Sequence, residues 1–155
     1  AKGTAGQALT MNSGANAPEW GTSSSGKIVS VHYAPFTSTM TSGASAYYNR
    51  GSAKQNLKDF NGAIADFNKA IEIMPIYATA YYNRGIAKIK LEDYNGAIAD
   101  YNKAIELDPN NSLAYANRGI SKYILGDLNG ACDDAKKVAN LGDTDAAKWV
   151  AENCN

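Results

Sequence analysis

The side chains able to do chemistry in this chain are few, and most of them sit at fixed intervals. Cys132 lies nine residues before Leu141 and Cys154 ten after Thr144, on either side of Gly142-Asp143. If those two segments are antiparallel helices, the sulfurs come to the same level. A disulfide there would close a loop of about 22 residues and contribute about 3 kcal/mol. The alternative is a pair of half-buried reduced thiols, which a reducing compartment would favour. Two cysteines and one distant histidine do not make a zinc set, so no metal is expected. His32, the single histidine, has only Ser30, Tyr33, Thr37 and Ser38 near it, without the pattern of a nucleophile and its base. Gly3-Thr4-Ala5-Gly6 lacks the Lys-Ser/Thr ending of a phosphate loop. No catalytic residue, no cofactor and no enzymatic activity are expected. Arg50, Arg84 and Arg118 recur every 34 residues, and so do Asp66, Asp100 and Asp134. The guanidinium groups could hold a partner's carboxylates or pair with those aspartates, and the shared period favours the internal pairing.

The same interval organises the chain from Ala44 on. Ala44-Ser45-Ala46-Tyr47-Tyr48-Asn49-Arg50-Gly51 returns as Ala78-Thr79-Ala80-Tyr81-Tyr82-Asn83-Arg84-Gly85, and more loosely as Ser112-Leu113-Ala114-Tyr115-Ala116-Asn117-Arg118-Gly119. Asn61-Gly62-Ala63 likewise returns as Asn95-Gly96-Ala97 and Asn129-Gly130-Ala131. Such a period marks a solenoid, in which each unit buries its apolar face against its neighbours. Every unit reads as two helices, A over 44–57, 78–91 and 112–125, and B over 60–74, 94–107 and 128–141. Asp59, Asp93 and Asp127 supply N-cap oxygens to the B helices, and Pro75 and Pro109 close the first two units. Small residues fall where helices must cross closely: Gly51, Gly85 and Gly119 in A, Ala63, Ala97 and Ala131 in B. Tyr47, Phe67, Tyr81, Tyr101 and Tyr115 fill the space between. Residues 144–153 form a further amphipathic helix that would cover the last unit with Trp149 and Val150.

Residues 1–43 are of another kind, rich in Gly, Ala, Ser and Thr, with Lys2, Glu19 and Lys27 as their only formal charges. They show no helix pattern. Lys27 to Tyr33 has the β-branched content of one short strand, carried by Ile28, Val29 and Val31 with Tyr33 at its end, and Gly26 and Pro35 bound it. Over the whole chain fifteen basic and fifteen acidic side chains cancel. No global field draws the protein to nucleic acid or to an acidic membrane. No apolar run reaches the length of a membrane span, and the N-terminus lacks the layout of a signal peptide.

Tyr47, the glycine four residues on, Ala63, Phe67, Ala70 and Pro75 resemble the signature of the tetratricopeptide repeat. On that resemblance the fold class is all-α, a helix-turn-helix solenoid of three repeats (44–77, 78–111, 112–143) with a capping helix at 144–155 and an extended N-terminal arm, 1–43, holding one short strand. Arg50, Arg84 and Arg118 stand where many members of the family have Leu, and Lys54, Lys88 and Lys122 where many have an aromatic. The third copy drifts, with Ala135 for the aromatic and Asp143 for the proline, as suits a terminal unit.

The resemblance implies a binding surface on the inner face of the A helices. Projected on the helical period, that face presents Tyr48, Asn49 and Ser52, then Tyr82, Asn83, Ile86 and Lys90, then Asn117, Ile120 and Tyr123. Asn49, Asn83 and Asn117 form a ladder able to hydrogen-bond a peptide backbone; joining neighbouring helices is their alternative role. Chaperone-docking members of the family grip an acidic C-terminus with Lys, Asn and Arg. Here Asn83 matches one element, while Tyr48, Ser52, Leu113 and Asn117 stand where Lys, Asn, Lys and Arg are needed. The expected ligand is a protein or an extended peptide segment, fairly apolar and uncharged.

Residues 3–20, running from Gly3-Thr4-Ala5-Gly6-Gln7-Ala8-Leu9 to Pro18-Glu19-Trp20, resemble a short motif of bacteriophage tail-fibre and related virion proteins, with Leu9 and Trp20 as anchors. That second resemblance implies an interaction protein held by its arm in a virion or a self-assembling surface filament, a homo-oligomer formed through residues 1–43. A scaffold or adaptor of the bacterial cytoplasm, with a peptide in its groove, is the alternative.

Overall fold

A computed structural model describes residues 21–22, 28–29 and 38–154, with side chains from residue 41 on. The chain divides into two units, residues 1–39 and 40–155. In the first, β1 (Gly21–Thr22) pairs antiparallel with β2 (Ile28–Val29), Gly21 opposite Val29 and Thr22 opposite Ile28. The rest of the expected 27–33 strand lies outside the described residues.

The second unit is built of helices: α1 (Ser38–Asn56), α2 (Phe60–Ile73), α3 (Ala78–Lys90), α4 (Tyr94–Leu107), α5 (Ser112–Ile124), α6 (Leu128–Asn140) and α7 (Thr144–Asn153). From α2 to α7 each packs on its neighbours in sequence, α1 meets α2 through Tyr48 and Phe67, and α3 also meets α5, so the odd-numbered helices form one layer and the even-numbered ones the other. α1 begins six residues before the expected Ala44. Gly43 sits under the Ile73 side chain, so contact with the end of α2 supports a turn that its Ser and Thr content disfavours.

Capping explains why the B helices start where they do. Asp59, Asp93 and Asp127 accept hydrogen bonds from the backbone N–H of Gly62, Gly96 and Gly130, each at 2.9 Å, and Asp143 does the same for Ala146 at 2.8 Å. The residue before each of the first three caps takes the left-handed conformation. Lys58 has φ 64°, Glu92 φ 61° and Gly126 φ 86°, three positions one period apart of which only the last is glycine.

The buried apolar set is dominated by alanine: Ala63, Ala70, Ala80, Ala87, Ala97, Ala104 and Ala114 are fully enclosed, with Phe67 and Tyr101 as the large rings among them. A methyl group on residue 51 would sit 2.9 Å from Phe67 Cε1, and one on residue 85 would sit 2.7 Å from Tyr101 Cε1. Those two glycines therefore let a ring from the B helix lie directly on the A-helix backbone. α7 buries none of its residues fully, and Trp149 meets Tyr123 edge-on with ring centres 6.1 Å apart. The disulfide Cys132–Cys154 ties the end of α7 to α6. No helix of the described residues is long and apolar enough to cross a membrane.

Candidate functional site

The arginines bond to the aspartates of their own repeat. Arg50 Nε donates to Asp66 at 2.8 Å, and Arg84 and Arg118 to Asp100 and Asp134 at 2.9 Å; a second guanidinium nitrogen reaches the other carboxylate oxygen in each case. Lys54, Lys88 and Lys122 complete each cluster at 2.9 Å. The aspartates are almost wholly buried, so the fork of the arginine and the lysine compensate a charge that would otherwise be costly. Arg50 holds the Asp66 carboxyl down at about 2, with Lys54 assisting and burial opposing. The guanidinium groups also lie 5.1 to 5.3 Å from the ring centres of Tyr47, Tyr81 and Tyr115. Arg84 and Arg118 reach back one repeat to Asn68 and Asn102 at 2.6 Å. These are joints between and within repeats, which leaves the guanidinium groups committed to the fold. The lysines' share escaped sequence reasoning, although Lys54, Lys88 and Lys122 carry the same period.

The inner face is formed by α1, α3 and α5. Asn83 donates to the Tyr48 hydroxyl at 2.7 Å and Asn117 to the Tyr82 hydroxyl at 3.1 Å, so these two asparagines link successive A helices. Burial raises the Tyr82 pKa, and the Asn117 bond partly offsets it. Asn49 and Lys90 are exposed, Ile86 is half-buried, and the Ser52 hydroxyl is enclosed without a partner among the described residues. Along α5 the surface turns apolar: Ile120, Tyr123 and Ile124 are 54, 56 and 51% exposed. Leu9, Trp20, Val31 and Tyr33 lie outside the described residues, and Ile28 and Val29 are described only as the backbone of β2.

Repeats one and two share a ring pair that repeat three lacks. Tyr48 packs on Phe67 and Tyr82 on Tyr101, both with ring centres 5.9 Å apart. One period on, the corresponding positions are Ala116 and Ala135. Both alanines line a cavity of about 510 Å³ bounded by α5, α6 and α7, whose other walls include Gly119, Ile120, Tyr123, Val138 and Trp149, with Asp143 and Asp145 also lining it. Sequence reasoning registered Ala135 as drift; the joint loss of both rings, visible when the copies are aligned, was the signal of a hollow.

The tetratricopeptide repeat model matches residues 44–77 and 78–111, and a second tetratricopeptide repeat model matches 100–133. The chain belongs to the tetratricopeptide repeat family. Among solved structures, the second tetratricopeptide domain of Spaghetti (RPAP3), bound to the HSP90 peptide SRMEEVD, is 30% identical with a TM-score of 0.64, covering 66% of this chain and 95% of that one. The Arabidopsis OM64 tetratricopeptide domain is 26% identical with a TM-score of 0.67 over 73% of this chain and 94% of that one. MamA is 30% identical with a TM-score of 0.64, over 70% of this chain and 63% of that one. A comparison with curated protein sequences finds no match. The family matches lie within residues 44–133, and the tail-fibre resemblance of residues 3–20 has no support from them. Tetratricopeptide repeats are typically protein–protein interaction modules.

Proposed function

We propose that this tetratricopeptide array is a scaffold that holds an extended, largely uncharged peptide of a partner protein on the inner face of α1, α3 and α5. One observation carries the reading: the periodic cations of the A helices are bonded to buried aspartates, while the inner face offers tyrosines, asparagines and exposed isoleucines. Arg50, Arg84, Arg118, Lys54, Lys88 and Lys122 are thus engaged elsewhere. Such a face pairs with apolar side chains and backbone amides rather than with carboxylates. The RPAP3 domain bound to an HSP90 peptide supports the groove as a peptide seat. The differences at Tyr48, Ser52, Leu113 and Asn117 argue for another ligand chemistry in this chain.

Titration of the full chain with SRMEEVD and with a length-matched uncharged peptide, followed by NMR, tests the reading. Shifts at Tyr82, Ile86, Ile120 and Tyr123 with the uncharged peptide alone are expected. Tighter binding of SRMEEVD would refute it. Self-assembly through residues 1–43 is the competing reading, in a virion or a filament. It requires the full chain to be larger than a monomer in light scattering while residues 38–155, which keep α1 whole, stay monomeric.

A further inference from the structure

The third repeat departs from the other two at the two positions that together build an aromatic pair. In repeats one and two an aromatic ring from the B helix lies on the A-helix glycine and packs against a tyrosine of the A helix. In repeat three, the atoms nearest a methyl on residue 119 are Asp134 Cβ at 3.2 Å and the Ala131 backbone; no ring is there. The hollow left by Ala116 and Ala135 measures about 510 Å³, within the range of small-ligand pockets and large enough for a ring with part of its chain. It opens beside Ile120 and Tyr123, on the surface already assigned to peptide. The wall contributed by α7 carries Trp149, and Asp143 and Asp145 also line the hollow, the first engaged as the N-cap of α7 and the second exposed.

We infer that the hollow between α5, α6 and α7 is an anchor site for an aromatic side chain of a partner peptide, flanked in that peptide by a basic residue. The inference deepens the peptide-binding reading and rests on it. The internal repeats identify the occupant's shape: against this same backbone, with the same glycine beneath it, the chain elsewhere places Phe67 and Tyr101. Charge complementarity identifies its neighbour, because the exposed Asp145 beside an apolar floor favours a Lys or Arg next to the ring. Ring burial supplies the affinity and the Asp145 carboxylate the orientation.

The test uses the full oxidised chain and two capped heptapeptides, Ala-Ala-Lys-Phe-Ala-Ala-Ala and its counterpart with Ala in place of Phe, with NMR of the Trp149 indole and the Ile120 methyl groups as readout. Saturable shifts of both signals by the Phe peptide, weakened roughly tenfold or more in the Ala peptide, are expected. Ala116→Tyr with Ala135→Phe rebuilds the ring pair inside the protein and is expected to abolish those shifts. Comparison of the two peptides on the unmodified protein needs no variant, so it decides the matter even if the doubly substituted chain misfolds. Asp145→Asn is expected to weaken the Phe peptide about two- to fivefold at low salt. Equal shifts from both peptides, or binding unaffected by the refilled hollow, would overturn the anchor site. Shifts confined to Tyr82 and Ile86 would overturn it while leaving the groove reading intact, and no shifts anywhere would remove both. Concentration-dependent movement of the Trp149 and Ile120 signals without peptide would assign the hollow to a second copy of the chain and overturn the inference as well.

Discussion

Single side chains in this protein are understood best beside their counterparts one period away. Tyr101 takes the place that Phe67 takes in the preceding repeat, is fully enclosed, and leaves its hydroxyl without a partner among the described residues. Burial accordingly pushes its pKa upward. Tyr101→Phe removes an unsatisfied polar atom and keeps the ring, so thermal unfolding is expected to show unchanged or raised stability, by about 0–1 kcal/mol. Asp66 shows the opposite case of a buried polar group fully answered. Its folded pKa of about 2 lies below the ordinary 3.8, so its contribution is complete above about pH 4 and disappears as pH falls toward 2. Urea unfolding at pH 5 and pH 2.5 is expected to show a loss of stability that is smaller in Asp66→Asn, measured against that variant's own value at pH 5. The pairing of the arginines was legible because donor and acceptor share one period. The pairing of the lysines needed coordinates, since a lysine where the family often has an aromatic reads as a surface residue until Asp100 is found beneath it.

At the scale of helices and turns, six of the seven helices both begin and end within a residue of the ranges that the sequence pattern assigns, and α1 departs only at its start. Those six have a copy elsewhere in the chain to be compared with or, for α7, a clear amphipathic pattern. The early start of α1 has neither, because Ser38 to Gly43 corresponds to no helix start in the other repeats, and its support comes from Ile73 in another helix. The left-handed residues at the A-to-B turns were equally hidden: Lys58 and Glu92 do not advertise positive φ, and only Gly126 does. Glu92→Gly relieves a conformation that side chains resist, at the expense of more freedom in the unfolded chain. A net stabilisation of about 0.5–1 kcal/mol is expected from chemical denaturation. The helical period puts Asn83 and Asn117 on equivalent positions of α3 and α5, yet their roles as links to tyrosines depend on the spacing between neighbouring A helices.

Over the whole molecule the two ends of the helical stack differ. Arg84 and Arg118 reach back to Asn68 and Asn102 of the preceding repeat, whereas among the described residues Arg50 bonds only within its own. The Arg50 side chain is correspondingly 60% exposed, against 18 and 16% for the other two. The far end is held by Cys132–Cys154, and α7 itself fully buries none of its residues. Reduction by a dithiol is expected to lower stability by about 3 kcal/mol and to expose Trp149, followed as a red shift of its emission in a Trp20→Phe background. The same bond determines how the molecule would bear load. A pull on the two termini of the helical stack cannot draw out the stretch between the cysteines, which stand 22 apart in sequence, and this removes about 75 Å of contour from the extensible chain. Tension entering at the C-terminus bypasses the last helix and acts directly on α6 at Cys132, so the segment from Cys132 to Cys154 stays closed while the rest of the stack is drawn out.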